Sequence, residues 1–218
     1  MTQMEPVDAR RVFPCFDEPN FKAEFSIILG RKRDMISLSN MPKIKTTPMY
    51  VISTMYCYFY LPHPFSQKLI IYSYKFTSAG ILDYEWDYFE RSVPMSSYLV
   101  AMIIADYSYV ESNTSHNNIT FRVWARHSAI NQTKYVWDIW KMSSIFKKYY
   151  VHLIGIRYGL EMGPKMLQFF QEYFGIDYPL PKQDMIALPS FHGAMENWGL
   201  ITYGYSHMFT MLLVCFYW

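Results

Sequence analysis

Met185-Ile186-Ala187-Leu188, followed by Gly193-Ala194-Met195-Glu196-Asn197-Trp198-Gly199-Leu200, sets the reading of the chain. The first run is short and continuously apolar, as in a buried strand. It leads into a loop that offers one acid, one amide and a glycine among aromatic and aliphatic residues. Glycine lets backbone come close to a ligand. A carboxylate beside bulky apolar groups holds a cation more strongly than it would in water, because the effective dielectric is lower. Residue types alone leave two readings open: a cation-holding loop, or a turn with one exposed acid.

The literal string favours the first. Gly193 to Leu200 resembles the exopeptidase motif of the aminopeptidase N-like zinc aminopeptidases, a gluzincin family. Tyr173-Phe174-Gly175-Ile176, Tyr178-Pro179-Leu180-Pro181-Lys182 and Ile186-Ala187-Leu188-Pro189 look like the family's approach to that motif, and Leu200-Ile201-Thr202-Tyr203 continues it. Ser190-Phe191-His192 is a residue shorter than the family's usual spacing. A second block, Thr2-Gln3-Met4-Glu5-Pro6 with Asp8-Ala9-Arg10-Arg11 and Phe13-Pro14-Cys15-Phe16-Asp17-Glu18-Pro19, resembles a signature of the family's N-terminal β-domain. The resemblance implies that the backbone of Gly193, Ala194, Met195 and Asn197 aligns a peptide and that Glu196 binds its free α-amino group. It further implies that Glu5 shares that ammonium and that Gln3 lies near the first side-chain pocket. By residue type alone, Glu5 also reads as an ordinary solvated acid.

The fold expected is α+β: a partial antiparallel N-terminal β-domain over 1–118, then the beginning of a thermolysin-like α/β catalytic domain over 119–218. More β-structure is expected before residue 1. Lys22 to Leu29 alternates, with Ala23, Phe25, Ile27 and Leu29 on one side, and predicts a half-buried strand ended at Gly30. Ser39-Asn40-Met41-Pro42 predicts a turn into another strand. Tyr98 to Ile104 predicts a buried strand, and Ile119 to Val123 a strand with Arg122 outward. Pro164 to Phe174 predicts a helix opened by its proline and ended by Gly175. Met166, Phe169, Phe170 and Tyr173 fall on one helical stripe and are expected in the core.

Three stretches break this pattern. Residues 49–82 are rich in Tyr, Phe, Ile and Ser, lack any acid and follow neither period; 136–159 and 204–218 also interrupt the resemblance. Translated intron sequence and lineage-specific insertion both account for them.

Composition narrows the function. A net charge of +2 gives no electrostatic case for nucleic acid. Cys15, Cys57 and Cys215 form no Cys-x-x-Cys pair, so neither a zinc ribbon nor a redox pair is indicated. Met1-Thr2-Gln3-Met4-Glu5 is too polar for a signal peptide, and the apolar run from Met208 is too short to span a bilayer. Sequons at Asn113, Asn118 and Asn131 favour an extracellular or luminal setting, by family a plasma-membrane ectodomain; a cytoplasmic protein with unused sequons is the alternative.

Hydrolysis in the family uses one zinc ion held by two histidines and a glutamate, with H-E-x-x-H on a helix placing both imidazoles on one face. His63, His116, His127, His152, His192 and His207 include no pair four apart, and none precedes a glutamate. The expectation is a portion of a metallo-aminopeptidase that binds no catalytic zinc and hydrolyses nothing as written. Its expected partners are peptides with a free N-terminus, or a full-length family member with which it forms a dimer. The alternative is a non-catalytic protein that binds peptide N-termini or modulates a partner.

Overall fold

The computed structural model describes residues 1–49, 83–112, 118–132, 151–189 and 191–204. The architecture is α+β, with two compact units, Met1–Ala105 and Asp106–Trp218. The division precedes the expected 118/119 boundary because the strand Tyr107–Glu111 pairs with Thr120–Arg126, inside the second unit.

In the first unit, β1 (Ile28–Lys32), β3 (Lys43–Pro48) and β4 (Tyr84–Phe89) form an antiparallel sheet in the order β1-β4-β3. A second antiparallel pair joins β2 (Ile36–Ser39) to β5 (Met102–Ala105). Ala23, Phe25, Ile27 and Leu29 are all buried, as their alternation predicts, and share a core with Met4, Phe13, Phe89 and Met95. Each fully buried large apolar side chain contributes about 1.5–3 kcal/mol. The expected strand Lys22–Leu29 is displaced: ladder pairing begins only at Ile28, after an isolated bridge between Ala23 and Met95, and β1 runs through Gly30 to Lys32. Gly30 faces Trp86 across the ladder, and a Cβ there would lie 2.8 Å from the Trp86 ring. The glycine seats the indole rather than stopping the strand. The turn at Asn40 is as expected: its amide donates to Leu99 O at 2.8 Å and accepts from Ala101 N at 2.9 Å. The run Tyr98–Ile104 is shared between a 3-10 turn, Ser97–Leu99, and β5.

The second unit is built on a five-stranded sheet. Its strands are β6 (Tyr107–Glu111), β7 (Thr120–Arg126), β8 (Lys182–Leu188), β9 (Ala194–Met195) and β10 (Leu200–Gly204), in the order β6-β7-β8-β10-β9. β8 is central, runs parallel to β7 and β10, and is buried along its whole length. Helices α1 (His127–Gln132) and α2 (Val151–Phe174) supply Ala129 and Ile156 to a core with Phe121, Val123, Ala125, Met185, Ala187 and Tyr203. Alternation along each strand leaves Lys182, Asp184, Arg122 and Trp124 on the opposite face.

α2 corrects the expected helix in two ways. It begins at Val151, so Pro164 lies in its interior and Val151–Gly159, expected outside the family pattern, is helical. An interior proline forgoes a backbone hydrogen bond and costs about 3 kcal/mol, which packing against the sheet offsets. The helix touches the sheet at Gly163, where a Cβ would fall 2.2 Å from the Phe121 ring. Its end is as predicted: Gly175 has φ +64°, and Ile176 N donates back to Gln171 O at 3.3 Å, the long bond of a Schellman cap.

The second correction concerns the aromatic stripe. Met166 packs against the core, but Phe169, Phe170 and Tyr173 are exposed. The buried line of α2 runs through Ile156, Gly159, Gly163 and Gln171. Helical periodicity identifies a face without saying which face the sheet takes. The exposed rings cover one another instead, with Phe169 on Tyr173 at 5.9 Å and Phe170 on Phe174 at 6.0 Å, each one helical turn apart.

Candidate functional site

Glu196 stands in the connection between β9 and β10. β9 is the edge strand of the sheet and pairs antiparallel with β10 through Ala194↔Tyr203 and Met195↔Thr202. Gly193 precedes it at φ +98°, and its carbonyl accepts from Gly204 N at 3.0 Å. Burial alternates sharply: Met195 is buried, Glu196 is exposed and Asn197 is buried. The carboxylate therefore faces solvent from a backbone fixed on both sides.

Directly after Glu196 the chain makes a tight turn. Leu200 N donates to Asn197 O at 3.0 Å, and Gly199 has φ +74°. Positive φ at the third position of a hydrogen-bonded four-residue turn is the type II pattern, which favours glycine there. Gly199 O receives Asp184 N at 3.0 Å and Lys182 Nζ at 2.6 Å. Lys182 Nζ is also 2.6 Å from Asp184 Oδ2, and Asp184 Oδ1 accepts from Trp124 Nε1 at 3.0 Å. Lys182 and Asp184 are 4% and 2% exposed. Burial pushes the Lys182 ammonium below its ordinary range, against the pull of the Asp184 charge.

The approach to β8 is fixed as well. Tyr178 N donates to Gln171 Oε1 at 2.7 Å, tying the loop to the end of α2, and Tyr178 OH donates to Gln183 Oε1 at 2.5 Å. Burial raises the phenol well above its usual range, so it stays a donor.

Gln3 and Glu5 belong to the first unit. Both are exposed, on a segment held by Thr2 N to Met102 O at 3.0 Å, by the buried Met4 and by Asp8 N to Met4 O at 2.9 Å. Glu5 comes after a buried methionine just as Glu196 does, so each acid is displayed by the same local device. Gly193, Ala194, Met195, Glu196 and Asn197 thus come together in one hairpin, with Gln3 and Glu5 on a separate anchored segment. Of the sequons, Asn113 lies outside the described residues, Asn118 is exposed at φ +58°, and Asn131 is within α1.

Among the described residues, no group of three or more His, Cys, Asp or Glu side chains is placed to hold a metal ion. The exposed His192 beside the motif has no such companions there. The sequence holds no H-E-x-x-H, the arrangement by which the family's zinc is bound.

Sequence reading misses Lys182, Asp184, Trp124 and Gly199 as supports of the hairpin. A signal exists: charged residues two apart share one face of a strand, and Lys182-Gln183-Asp184 leads straight into the apolar run at Met185.

Two family models match this chain. The Peptidase M1 N-terminal domain matches residues 1–60, and the Peptidase family M1 domain matches residues 158–212. Endoplasmic reticulum aminopeptidase 2 of Bos taurus is 38% identical over 204 residues, 93% of this chain and 16% of that protein. Aminopeptidase N of Homo sapiens is 37% identical over 206 residues, also 93% of this chain and 16% of its own length. Aminopeptidase M1 of Arabidopsis thaliana is 36% identical over 204 residues, with 17% of its length covered. The chain therefore spans about a sixth of the length of these relatives. With both its N-terminal block and its exopeptidase-like hairpin inside those matches, the chain belongs to peptidase family M1, the aminopeptidase N-like metallopeptidases.

Proposed function

We propose that this chain is a portion of a zinc aminopeptidase that recognises the free α-amino group of a peptide without itself cleaving it. The observation that carries the reading is Glu196, an exposed carboxylate between two buried residues at the end of an edge strand. A peptide added alongside β9 would gain main-chain hydrogen bonds and present its ammonium to Glu196. Glu5 and Gln3, in the first unit, are proposed as further peptide-binding residues. An ammonium pairs with Glu196, whereas a blocked terminus leaves that carboxylate unpaired. Glu196 is exposed in the free chain; a peptide seated along β9 would cover its carboxylate, and losing one partner of a charge pair so buried costs about 2–5 kcal/mol, enough for strong selection of free N-termini.

The lack of H-E-x-x-H in the sequence supports the non-hydrolytic half of the proposal, and no step is assigned to zinc. Residues 49–82, 136–159 and 204–218 read as sequence added to the family pattern, but the family matches reach residue 60 and cover 158–212; the proposal is kept for 61–82, 136–157 and 213–218, the middle one of which enters α2 at Val151. The exposed Asn118 supports a luminal or extracellular setting. A dimer with a full-length family member is the proposed protein partnership.

The test compares one fluorescent peptide with free and acetylated N-termini, on the 218-residue chain and on Glu196→Gln. Acetylation should weaken binding about thirtyfold or more, since about 2 kcal/mol corresponds to that ratio, and Glu196→Gln should erase most of the difference. Equal affinity for the two peptides would end the binding reading. Turnover of an N-terminal amino-acyl chromogenic substrate with stoichiometric zinc would end the non-hydrolytic one.

A further inference from the structure

We propose that Lys182 is the positioning residue of Glu196. The inference rests on the reading of Glu196 as the α-amine ligand and extends it to the group that holds the acid in place. Lys182 comes from the central strand β8, on the face away from α1 and α2. Its ammonium lies 2.6 Å from Asp184 Oδ2 and donates to the Gly199 carbonyl at 2.6 Å. That carbonyl belongs to the turn that begins at Asn197, next to Glu196 in sequence.

A buried ion pair is not needed to hold a sheet together. An apolar pair of the same volume is often as stable or more so. What an apolar pair lacks is a donor for a backbone carbonyl. Gly199 O already accepts from Asp184 N, which fixes the turn along the ladder direction. The ammonium adds a second donor from the side-chain face and leaves the turn little freedom to roll. Trp124 Nε1 holds Asp184 Oδ1, leaving Asp184 Oδ2 to Lys182. A continuous line of polar contacts therefore runs from Trp124 on β7, through Asp184 and Lys182 on β8, to the turn beside Glu196. Glycine at 199 completes the device, because φ +74° disfavours a side chain there.

The experiment uses the full 218-residue chain with Lys182→Met, and with a paired variant carrying Lys182→Met and Asp184→Asn. The paired change leaves no uncompensated buried charge, and the amide oxygen at 184 still accepts from Trp124. Amide hydrogen exchange across Glu196–Leu200 is read alongside the ratio of affinities for free and acetylated peptide. Expected in the paired variant are a tenfold or greater rise in exchange in that segment, unchanged protection in β7 and the rest of β8, and a tenfold or greater fall in the ratio. Affinity for the acetylated peptide should stay as it was, a split that general loosening of the sheet would not produce. Unchanged exchange, or an unchanged ratio in a parent that shows amine preference, overturns the role of Lys182. A parent with no amine preference overturns the function proposed for Glu196, and the exchange result alone then decides whether Lys182 holds the turn.

Discussion

Each unit buries a charged centre, and the two centres are built differently. In the first unit the acid is Asp87, on β4, with its side chain wholly enclosed. It accepts from Arg31 Nε at 2.5 Å, Ser37 Oγ at 2.6 Å and Thr46 Oγ1 at 2.5 Å, with Lys43 Nζ at 3.4 Å. Every one of these donors is a side chain, and together they join β1, β2 and β3 to β4. In the second unit Asp184 accepts from Lys182 and Trp124, and Lys182 donates onward to the backbone of a turn. The first centre fastens four strands around one acid, and its Arg31 also donates onward to Lys32 O at 3.1 Å and Arg33 O at 3.4 Å, at the end of β1. The second joins only β7 and β8 and ends on the hairpin displaying Glu196. Both reach backbone carbonyls; they differ in how many strands they tie and in what the onward donor holds.

The largest effect expected is on the Asp87 centre. Asp87→Ala leaves the buried Arg31 with only Glu85 at 3.1 Å as its acid, removes the acceptor of Ser37 and Thr46, and should cost about 3–5 kcal/mol, measured by urea unfolding of the whole chain. Burial pushes the Asp87 carboxyl up, but the hydrogen bonds from Arg31, Ser37 and Thr46 and the Lys43 charge outweigh it and hold it below its ordinary value of 3.8. A carboxyl depressed in the folded state contributes stability above its unfolded pKa and loses it as pH falls through the folded value. Stability should therefore drop as pH falls below about 3.8, and Asp87→Asn should flatten that slope. An unchanged slope would remove the contrast between the two centres on the Asp87 side.

The Lys182–Asp184 centre should respond more to how the change is made. Lys182→Met alone leaves the buried Asp184 with only the Arg122 charge across the ladder and should cost about 3 kcal/mol, whereas changing both partners should cost distinctly less. Equal losses for the single and paired variants would mean that this centre is a fastening like the other.

Two glycines sharpen the contrast on a smaller scale. Gly163→Ala forces a methyl into the Phe121 ring and should cost about 1–3 kcal/mol, partly relieved by Phe121→Leu, in thermal unfolding. Its peptide affinity should not change. Gly199→Ala meets the positive φ of the turn and should cost about 1–2 kcal/mol, the smallest stability loss of the set. Its distinguishing result is a fall in amine preference. If Gly163→Ala lowered that preference as much, the hairpin would not be specifically addressed through Gly199.

Much of the fold is legible because it comes from local chemistry. The alternation at Ala23, Phe25, Ile27 and Leu29 marks a one-sided buried segment, and Met185–Leu188 marks a buried strand. Gly175 marks the end of α2 because few other residues adopt its φ readily. The misses share one cause, which is contact with a partner distant in sequence. Gly30 reads as a stop because Trp86, which needs its space, lies far along the chain. Phe169, Phe170 and Tyr173 read as core because a period names a stripe but not what it faces, and the structure exposes them. Pro164 reads as a helix start because proline suits a first turn, yet packing carries α2 through it.

The sequence by itself determined the family, the acids Glu5 and Glu196, and the lack of a histidine-glutamate zinc motif. Each of these is a matter of which residues occur in which order, and order survives without coordinates. Only the tertiary structure decided that Glu196 is exposed between buried Met195 and Asn197, and that Lys182 reaches the turn behind it. Those facts depend on the pairing of β8 with β10. That pairing brings Lys182 and Gly199, 17 positions apart, within one hydrogen bond of each other.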